Sequence, residues 1–180
     1  MSEVNYRKLV IGDTETTGFK ENRIVSLAIL VYENGKKIAD RYILVNPKTK
    51  IEDSASKVNG ITYDTIKDCP TFDKVWEEIK GYMTDSIWIF HNAKYDANKV
   101  IYPELQRYGL EIPNHLLCCT LENAKSLIPK SEVPNYKLGT LLEHFGYKLE
   151  NAHSADADTW GCMKLYNQLV KLSDGNLIVK

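Results

Sequence analysis

The sequence LVIGDTETTG, residues Leu9–Gly18, combines an extended apolar run with two carboxylates and a turn. β-branched residues are frequent in it and favour a β-strand. Asp13 and Glu15 are two positions apart, so a strand would direct both carboxylates to the same side of a sheet. Gly18 permits a sharp turn soon after the acids. The pair is either a salt-bridged surface pair or half of a divalent-metal site, and this stretch alone leaves both alternatives open.

Two more strands are predicted immediately downstream. The runs RIVSLAILVY (23–32) and IADRYILV (38–45) are rich in apolar and β-branched residues. The turn Glu33–Gly35 lies between them, and its Asn-Gly pair is one of the strongest short-range signals for a hairpin. The first part of the chain is therefore expected to form three antiparallel strands.

Helical patterns dominate the rest of the chain, after a fourth strand predicted at SIWIFHN (86–92). Helices are predicted where apolar residues recur at helical spacing, in the segments DSASKVNGITYDTI (53–66, with Asp53 or Ser54 as a cap), TFDKVWEEIKGYM (71–83), AKYDANKVIY (93–102, kinked or interrupted by Pro103), KLGTLLEHFGYKL (137–149) and ADADTWGCMKLYNQLVKL (155–172). Together these elements predict an α/β fold. Its mixed sheet has three antiparallel strands plus further parallel strands, with helices on both faces.

Composition favours one domain without a strong overall charge. With 180 residues, 43% of them apolar, the chain is long enough for one well-filled core and short for two. Residues 1–180 are therefore expected to form a single domain. Its 23 basic and 24 acidic side chains give a formal charge of -1, so a polyanionic substrate would have to be recruited locally.

The sequence shows no sign of export or of membrane association. No run approaches the roughly 18 apolar residues of a membrane span, and the polar segment MSEVNYRKLV lacks the apolar core of a secretory signal. The four cysteines have no paired spacing, so they are interpreted as reduced and mostly buried. A cytoplasmic protein is expected.

Asp158 leads the apolar face of the last predicted helix. At about 100° per residue it lies within about 40° of the centre of a stripe that also contains Cys162, Leu165, Leu169 and Leu172. Asp156 lies about 160° from that stripe and is expected to be solvated or to serve the helix N-terminus. His153 would lie about 140° from Asp158 on a continuous helix. Both serve one site only if His153 lies in the preceding loop, with Ser154 as the helix cap.

A buried carboxylate such as Asp158 needs compensation, because an unpaired one is energetically costly. The helix stripe supplies no basic partner. Asp96 lies just beyond the fourth predicted strand and is either a partner of the helix dipole or a further metal ligand. A shared divalent cation would compensate four acids that otherwise repel one another, namely Asp13, Glu15, Asp96 and Asp158. An EF-hand loop starting at Asp13 is excluded, because its twelfth position is Ile24 rather than glutamate.

Three motifs carry a resemblance to a known family. DTETTG (13–18), HNAKYD (91–96) and HSADAD (153–158), in this order and with these separations, resemble the exonuclease motifs of the DnaQ-like DEDDh family. That family includes the proofreading subunit of bacterial replicative polymerases. The tyrosine variant of the superfamily would have tyrosine at the position of Ser154, so the histidine variant fits. The resemblance extends to about Tyr166 and thus covers most of the chain.

This resemblance implies a ribonuclease H-like fold and a 3′-to-5′ exonuclease acting on single-stranded nucleic acid, with DNA favoured. It also implies two divalent cations, Mg²⁺ or Mn²⁺, and the release of nucleoside monophosphates. Matched position by position, the metal ligands would be Asp13, Glu15, Asp96 and Asp158. The general base would be His153, since imidazole exchanges protons near neutral pH. The expected partners are a single-stranded 3′ end and a DNA polymerase or another nucleic-acid-processing protein.

Four residues are expected to contact or orient the substrate. Thr16 and Thr17 would offer backbone N–H groups to the terminal nucleotide, as the family implies. Ile61 is either the family's apolar wedge beside the last base or a core residue. Asn92 would orient the site from the end of the strand. Asn59 stands where polymerase-type members frequently have histidine, which leaves the identity of the contacts with the terminal nucleotide open.

Two alternatives to a DNA exonuclease remain. One is an RNA-trimming exonuclease of the same chemistry. The other is a non-catalytic binding subunit that docks through the tail SDGNLIVK (173–180), against which the presence of all five candidate catalytic residues argues. The remaining histidines are given structural roles: His91 is expected to pack or hydrogen-bond at the strand end, and His115 and His144 to be solvated.

Overall fold

A five-stranded mixed sheet forms the centre of the protein, as seen in a computed structural model that describes residues 8–150 and 152–180. Its strands are β1 (Lys8–Thr16), β2 (Ile24–Glu33), β3 (Lys36–Leu44), β4 (Ser86–Phe90) and β5 (His115–Cys119). In the order β3-β2-β1-β4-β5, the first three are antiparallel, and β4 and β5 run parallel to β1. The predicted sheet is confirmed, and β5 is added to it. The one-domain prediction also covers residues 1–7 and Asn151, which lie outside the described residues.

Helices and one π-helical turn connect and flank the strands. They are α1 (Asp53–Asn59), α2 (Tyr63–Ile66), α3 (Phe72–Met83), α4 (Ala93–Tyr95), the π-turn (Asp96–Ile101), α5 (Tyr102–Arg107), α6 (Thr120–Leu127), α7 (Leu138–His144) and α8 (Ala155–Leu172). Within the described ranges, no helix combines the length and the apolar character that a bilayer crossing requires.

Helices cover both faces of the sheet, as predicted. Consecutive strand residues point to opposite faces, and the register neighbours Val10 and Trp88 lie in a core formed with α3 and the helix after β4. Ile11 and Ile89, one position further along, pack instead with Cys162 of α8. The two buried layers thus lie on either side of β1 and β4, and they hold these strands and α8 in fixed positions.

The hairpin prediction is confirmed, whereas the predicted cap of α1 is wrong. Asn34 and Gly35 join β2 to β3 with φ of 49° and 76°, the positive values that a tight hairpin turn requires. Helix α1 begins at Asp53, and Glu52 occupies the N-cap position without a side-chain cap bond. The Glu52 carboxylate instead accepts a hydrogen bond from the Lys20 N–H at 2.9 Å. A contact with a distant loop therefore displaces the local capping pattern.

Two other local predictions are also corrected. His115 is not in a solvated loop: it begins β5, and its ring stacks on Trp88 with 3.8 Å between the centroids. Its Nε2 lies 2.6 Å from the Tyr102 hydroxyl. Leu172 is 53% exposed, so the buried stripe of α8 ends one turn earlier, at Leu169. The helix has run beyond its packing partners at that point.

The helix after β4 changes its winding where Asp96 lies. In the π-turn Asp96–Ile101 the hydrogen bonds span five residues, and the Tyr102 N–H bonds to the Ala97 carbonyl. Pro103 has no N–H to donate to the Lys99 carbonyl four residues earlier. The predicted interruption at Pro103 is not observed, because α5 continues through it to Arg107 and the change of winding lies in the turn before it.

The C-terminal segment pairs with the outer edge of β5. Leu117 and Lys180 exchange two backbone hydrogen bonds of 2.7 and 2.9 Å. The Asn123 side chain accepts the Ile178 N–H at 2.7 Å and donates to the Ile178 carbonyl at 3.1 Å. These bonds hold the backbone of the tail against its own domain, while Ile178 and Val179 remain 38% exposed.

Gly12 allows β1 to approach Phe90 closely, immediately before the first acid. A Cβ atom at position 12 would lie 2.7 Å from Phe90 Cε1 and 3.1 Å from the Ala28 carbonyl oxygen. We expect Gly12→Ala to lower the free energy of unfolding by about 1–3 kcal/mol, because a buried ring and a backbone must shift. Denaturant unfolding measures this. Gly81→Ala on α3 is the matched control, since a Cβ there meets nothing within 4 Å, and equal losses in both variants would contradict the packing argument.

Candidate active site

Three carboxylates meet at the carboxyl end of β1. Asp13 and Glu15 belong to β1, and Asp158 lies in the first turn of α8. One carboxylate oxygen of each lies within 4.8 Å of the others, and all three side chains are half-buried. Two segments more than 140 positions apart in the sequence thus supply one acidic cluster.

Asp96 lies beside this cluster and is almost completely buried, at 3% exposure. Its Oδ1 accepts hydrogen bonds from the Thr14 N–H at 3.2 Å and from the Thr14 hydroxyl at 2.7 Å. Thr14 stands between Asp13 and Glu15 on β1, so the strand that carries two acids also fixes the position of the third. Asp96 lies outside the group of three closely spaced carboxylates, but its charge reaches Asp13 and raises the pKa of that side chain.

The four acids make one another harder to ionise. Burial raises the pKa of Asp13 well above its ordinary value of 3.8, and the charges of the other three acids raise it further. Burial, followed by the charge of Asp158, raises the pKa of Glu15 to about 7. Burial also raises the pKa of Asp96 to about 7, although the hydrogen bonds from Thr14 oppose this. Burial raises the pKa of Asp158 as well.

The composition of the cluster fits hard divalent cations. Within residues 8–150 and 152–180, no lysine or arginine forms an ion pair within 4.0 Å of any of these four carboxylates. Carboxylate oxygens are the ligands that Mg²⁺ and Mn²⁺ prefer. A divalent cation would reduce the repulsion among these carboxylates, which contributes to their raised pKa values.

The raised carboxyl pKa values predict that the metal-free protein loses stability as the pH rises. The pKa of Asp96 is about 7 in the folded protein against 3.8 ordinarily, and that of Glu15 is about 7 against 4.5. Between these values the folded state binds more protons than the unfolded state, so the stabilisation present at low pH is lost as the pH passes through 7. We expect the Tm of chelator-treated protein to be lower at pH 8 than at pH 5.5, by on the order of 5 °C. Thermal unfolding measures this.

Two controls accompany that measurement. Millimolar Mg²⁺ should reduce the pH dependence of the Tm, because a bound cation favours the ionised acids. Asp13→Asn should also reduce the pH dependence of the Tm in the metal-free protein, because one of the repelling charges is removed. A metal-free Tm that is the same at both pH values would contradict the electrostatic account.

His153 lies in the loop before α8, as predicted. It is exposed, has a φ of 68°, and its backbone N–H donates to Asp158 Oδ2 at 3.0 Å. Ser154 holds the N-cap position, but its hydroxyl donates to Asp156 instead of capping the helix. The loop thus places the imidazole of His153 at a cleft that Asp13 and Asp158 also line.

The cleft at His153 has a volume of about 820 Å³. Asn92 also lines the cleft. It is the N-cap residue of α4, with a φ of 70°, and this helix leads to Asp96. Positive charge reaches the cleft from three lysines, Lys125, Lys130 and Lys137. Acids that attract metal ions and cations that attract phosphates therefore line the same cleft.

His91 fixes one wall of this cleft. Its Nε2 lies 3.1 Å from the Tyr136 carbonyl oxygen, which can only accept, so Nε2 carries the proton. Its Nδ1 lies 3.0 Å from the Thr120 hydroxyl. Burial lowers the pKa of His91 to about 4, so the ring is neutral at physiological pH. The predicted hydrogen-bonding role at the strand end is confirmed.

A smaller cavity of about 210 Å³ lies at Glu15. Its walls include Phe19, Val58 and Tyr95, of which Phe19 is 88% exposed and Val58 55% exposed. Sequence reasoning missed all three residues. The available signal was a large aromatic residue placed directly after the Gly18 turn, where a polar residue is usual.

Thr16 and Thr17, predicted to serve the terminal nucleotide, differ in their surroundings. Thr16 lines the smaller cavity. The Thr17 N–H donates to the Arg23 carbonyl at 2.8 Å, and the Thr17 hydroxyl accepts the Arg23 N–H at 3.0 Å. The Thr17 N–H is therefore already bonded within the β1–β2 turn, whereas Thr16 lines the cavity at Glu15.

Ile61 lies in the core. It is 7% exposed and packs with Val25 and Ile66 in a small apolar cluster. Of the two alternatives, wedge or core residue, the structure favours the second. The exposed apolar surface near Glu15 comes from Val58 and Phe19 instead.

A ribonuclease H-like sheet that gathers carboxylates at the end of its central strand defines a class of metal-dependent nucleases. Residues 10–166 match the RNase T sequence family, which is described as exonuclease. The chain belongs to this RNase T/DnaQ-like family of DEDDh 3′–5′ exonucleases, hydrolases of phosphodiester bonds that depend on metal ions.

Relatives agree with this assignment. The DNA polymerase III subunit epsilon of Treponema pallidum is 28% identical over 160 residues, which cover 88% of this chain and 74% of that protein. The PolC-type DNA polymerase III of Bacillus cereus is 31% identical over 153 residues, 83% of this chain but only 10% of that much longer protein. The nuclease domain of 3′hExo, a DEDDh family member solved bound to rAMP, has the same fold. Its TM-score is 0.79 at 18% identity, with 98% of this chain and 97% of that chain covered.

Proposed function

We propose that the protein removes nucleotides one at a time from the 3′ end of single-stranded nucleic acid, with DNA favoured over RNA. The main support is the pair of unequal cavities at the acidic cluster. Glu15 lines the smaller cavity, whereas Asp13 and Asp158 line the larger cleft. If the last nucleotide of a strand lay in the smaller cavity and the upstream nucleotides in the larger cleft, the phosphodiester between them would lie at the acids.

The walls of the two cavities suit these different tasks. The rings of Phe19 and Tyr95 offer stacking surfaces for one base, and base–aromatic stacking contributes about 1–3 kcal/mol. The larger cleft offers lysine ammonium groups, which attract phosphates without reading sequence. Because the formal charge of the chain is -1, this local positive charge is what would recruit the strand.

The four acids would hold two divalent cations, Mg²⁺ or Mn²⁺, with Asp13 central to the cluster. When bound, these ions supply charge neutralisation at the phosphoryl oxygens and lower the pKa of a bound water. Thr14 keeps Asp96 in place through its two hydrogen bonds to Oδ1, which leaves Oδ2 as the oxygen available to an ion. This division of the carboxylate explains how a nearly buried acid would serve the site.

His153 would act as the general base. Its imidazole takes a proton from the attacking water while the water oxygen bonds to phosphorus. The bond from phosphorus to the 3′ oxygen of the upstream nucleotide breaks, and that oxygen takes up a proton. The products are a nucleoside 5′-monophosphate and a strand that is one nucleotide shorter with a free 3′ hydroxyl.

Preference for DNA is supported by the polymerase relatives. The named relatives from Treponema pallidum and Bacillus cereus are DNA polymerase III proteins, which also supports a DNA polymerase as the partner of this chain. The rAMP bound to 3′hExo favours the second candidate, an RNA-trimming exonuclease of the same chemistry. Residues 1–180 would act as a single exonuclease domain in either case.

Gel analysis of end-labelled oligonucleotides tests this function. A 5′-labelled single-stranded DNA and the RNA of the same sequence are incubated with Mg²⁺, with Mn²⁺ and with a chelator. A one-nucleotide ladder that forms faster on DNA and disappears with chelator supports the proposal. A faster ladder on RNA supports the trimming enzyme. Intact oligonucleotides under every condition would favour a non-catalytic subunit.

A further inference from the structure

Asn22 ties the β1–β2 turn to the helix that carries Asp96. Its Nδ2 donates to the Lys99 carbonyl at 2.8 Å, and its Oδ1 accepts the Tyr95 hydroxyl at 2.7 Å. These two partners stand on either side of Asp96 in the sequence. One side chain that belongs to neither the acidic cluster nor the sequence motifs therefore holds both flanks of this acid.

Both bonds depend on local backbone features. Pro103 cannot donate to the Lys99 carbonyl, and the amide of Asn22 supplies a donor there. Asn22 itself has a φ of 52°, in the left-handed region that asparagine and glycine tolerate and most other residues do not. The turn thus presents a carboxamide, with one donor and one acceptor, to a carbonyl and a hydroxyl.

Tyr95 carries the effect of Asn22 to the smaller cavity. The Tyr95 hydroxyl lies 3.4 Å from Thr16 Oγ1, and both residues line that cavity together with Glu15. The hydroxyl therefore sits between Asn22 on one side and Thr16 on the other. Without Asn22, the Tyr95 hydroxyl would lose the shorter of its two hydrogen bonds, and the ring would be held less firmly in the cavity wall.

We propose that Asn22 is a positioning residue for the 3′-terminal nucleotide, because it holds Tyr95 against Thr16 and so keeps the wall of the smaller cavity in place. The inference rests on the proposed function. Loss of the Asn22 side chain should weaken binding of the 3′ end of the strand more than it slows hydrolysis. The Asp96 carboxylate should stay at the acidic cluster even where the backbone around it loosens, because its two hydrogen bonds from Thr14 do not involve Asn22.

Steady-state kinetics of three variants and one control variant test this role. Asn22→Gly keeps the left-handed backbone and removes both side-chain bonds, and Tyr95→Phe removes only the hydroxyl. Each should raise KM for a single-stranded DNA by about 3- to 10-fold and change kcat by less than about twofold. The double variant should be no worse than the stronger single variant, within about twofold, because both changes break the same contact. Asn34→Gly, the same substitution at a φ of 49° in the β2–β3 turn, should leave KM unchanged.

Amide hydrogen exchange gives a readout that does not depend on activity. In Asn22→Gly, residues 95–102 should exchange faster than in the wild type, while the β2–β3 hairpin should be unaffected. Unchanged exchange in 95–102, an unchanged KM, a loss confined to kcat, or fully multiplicative effects in the double variant would each overturn the proposal. A wild-type protein that degrades no oligonucleotide would instead refute the proposed function, and the exchange data would then decide by themselves whether Asn22 holds this segment.

Discussion

Asp13→Asn is expected to reduce exonuclease activity at least about 1,000-fold, because metal ions contribute several kcal/mol to phosphodiester cleavage and each 1.4 kcal/mol is worth a factor of ten. The pKa of Asp13 is raised by the charges of all three of the other acids, so its carboxylate interacts with every other member of the cluster. An amide has nearly the same shape but no charge, so it weakens cation binding without leaving a gap. The rate of mononucleotide release at saturating Mg²⁺ measures the effect.

The fold of this variant should be preserved or even stabilised in the absence of metal. Removing one of four repelling carboxylates lowers the cost of burying the rest, so the Tm in chelator should not fall. Asp40→Asn is the matched control, since Asp40 is exposed on β3 and pairs only with Lys37 in the described structure. Retention of more than a tenth of the activity by Asp13→Asn would be incompatible with a central metal ligand.

His153→Asn is expected to lower kcat by about 10²- to 10⁴-fold, the usual contribution of a general base. Asparagine tolerates the φ of 68° at this position, and the backbone N–H that donates to Asp158 is retained. The loop should therefore keep its conformation while the proton acceptor is lost. Single-turnover cleavage in Mg²⁺ separates this effect from any change in substrate affinity.

Substrate binding and stability should stay close to wild type in His153→Asn, because the side chain is exposed. His144→Asn on α7 is the matched control, since that histidine also lies at the surface and lines neither cavity at the acidic cluster. Equal kcat values for the two histidine variants would rule out His153 as the base. A large loss in affinity with kcat intact would assign it to binding instead.

The orientation of Asp13, Glu15 and Asp158 could be predicted because it depends on two local periodicities, whereas their meeting was inferred from the need to compensate buried carboxylates and from the family resemblance. Alternation along β1 directs the first two to one side, and the helical stripe of α8 directs the third inward. The loop position of His153 followed from the same helical geometry. Patterns of this kind are visible in a single segment and need no knowledge of its neighbours.

Features that depend on contacts between distant segments were not predictable in this way. The hydrogen bonds from Thr14 to Asp96 join positions 82 apart, and the Glu52 contact that displaces the cap of α1 spans 32. Strand β5 has only five residues, and its identity is set by pairing with β4. The cavity at Phe19 arises from three separate segments, so no one of them signals it.

The two edge strands of the sheet, β5 and β3, are protected from pairing with other chains by different physical means. On the β5 side, the chain's own tail exchanges two backbone hydrogen bonds with Leu117, and dissolved ions do not screen such bonds. On the β3 side, the outer strand carries Lys36, Lys37 and Arg41 among exposed residues, and charges of this kind discourage strand-to-strand association. Repulsion between charges is screened at high ionic strength. Self-association in concentrated salt is therefore expected to begin at β3.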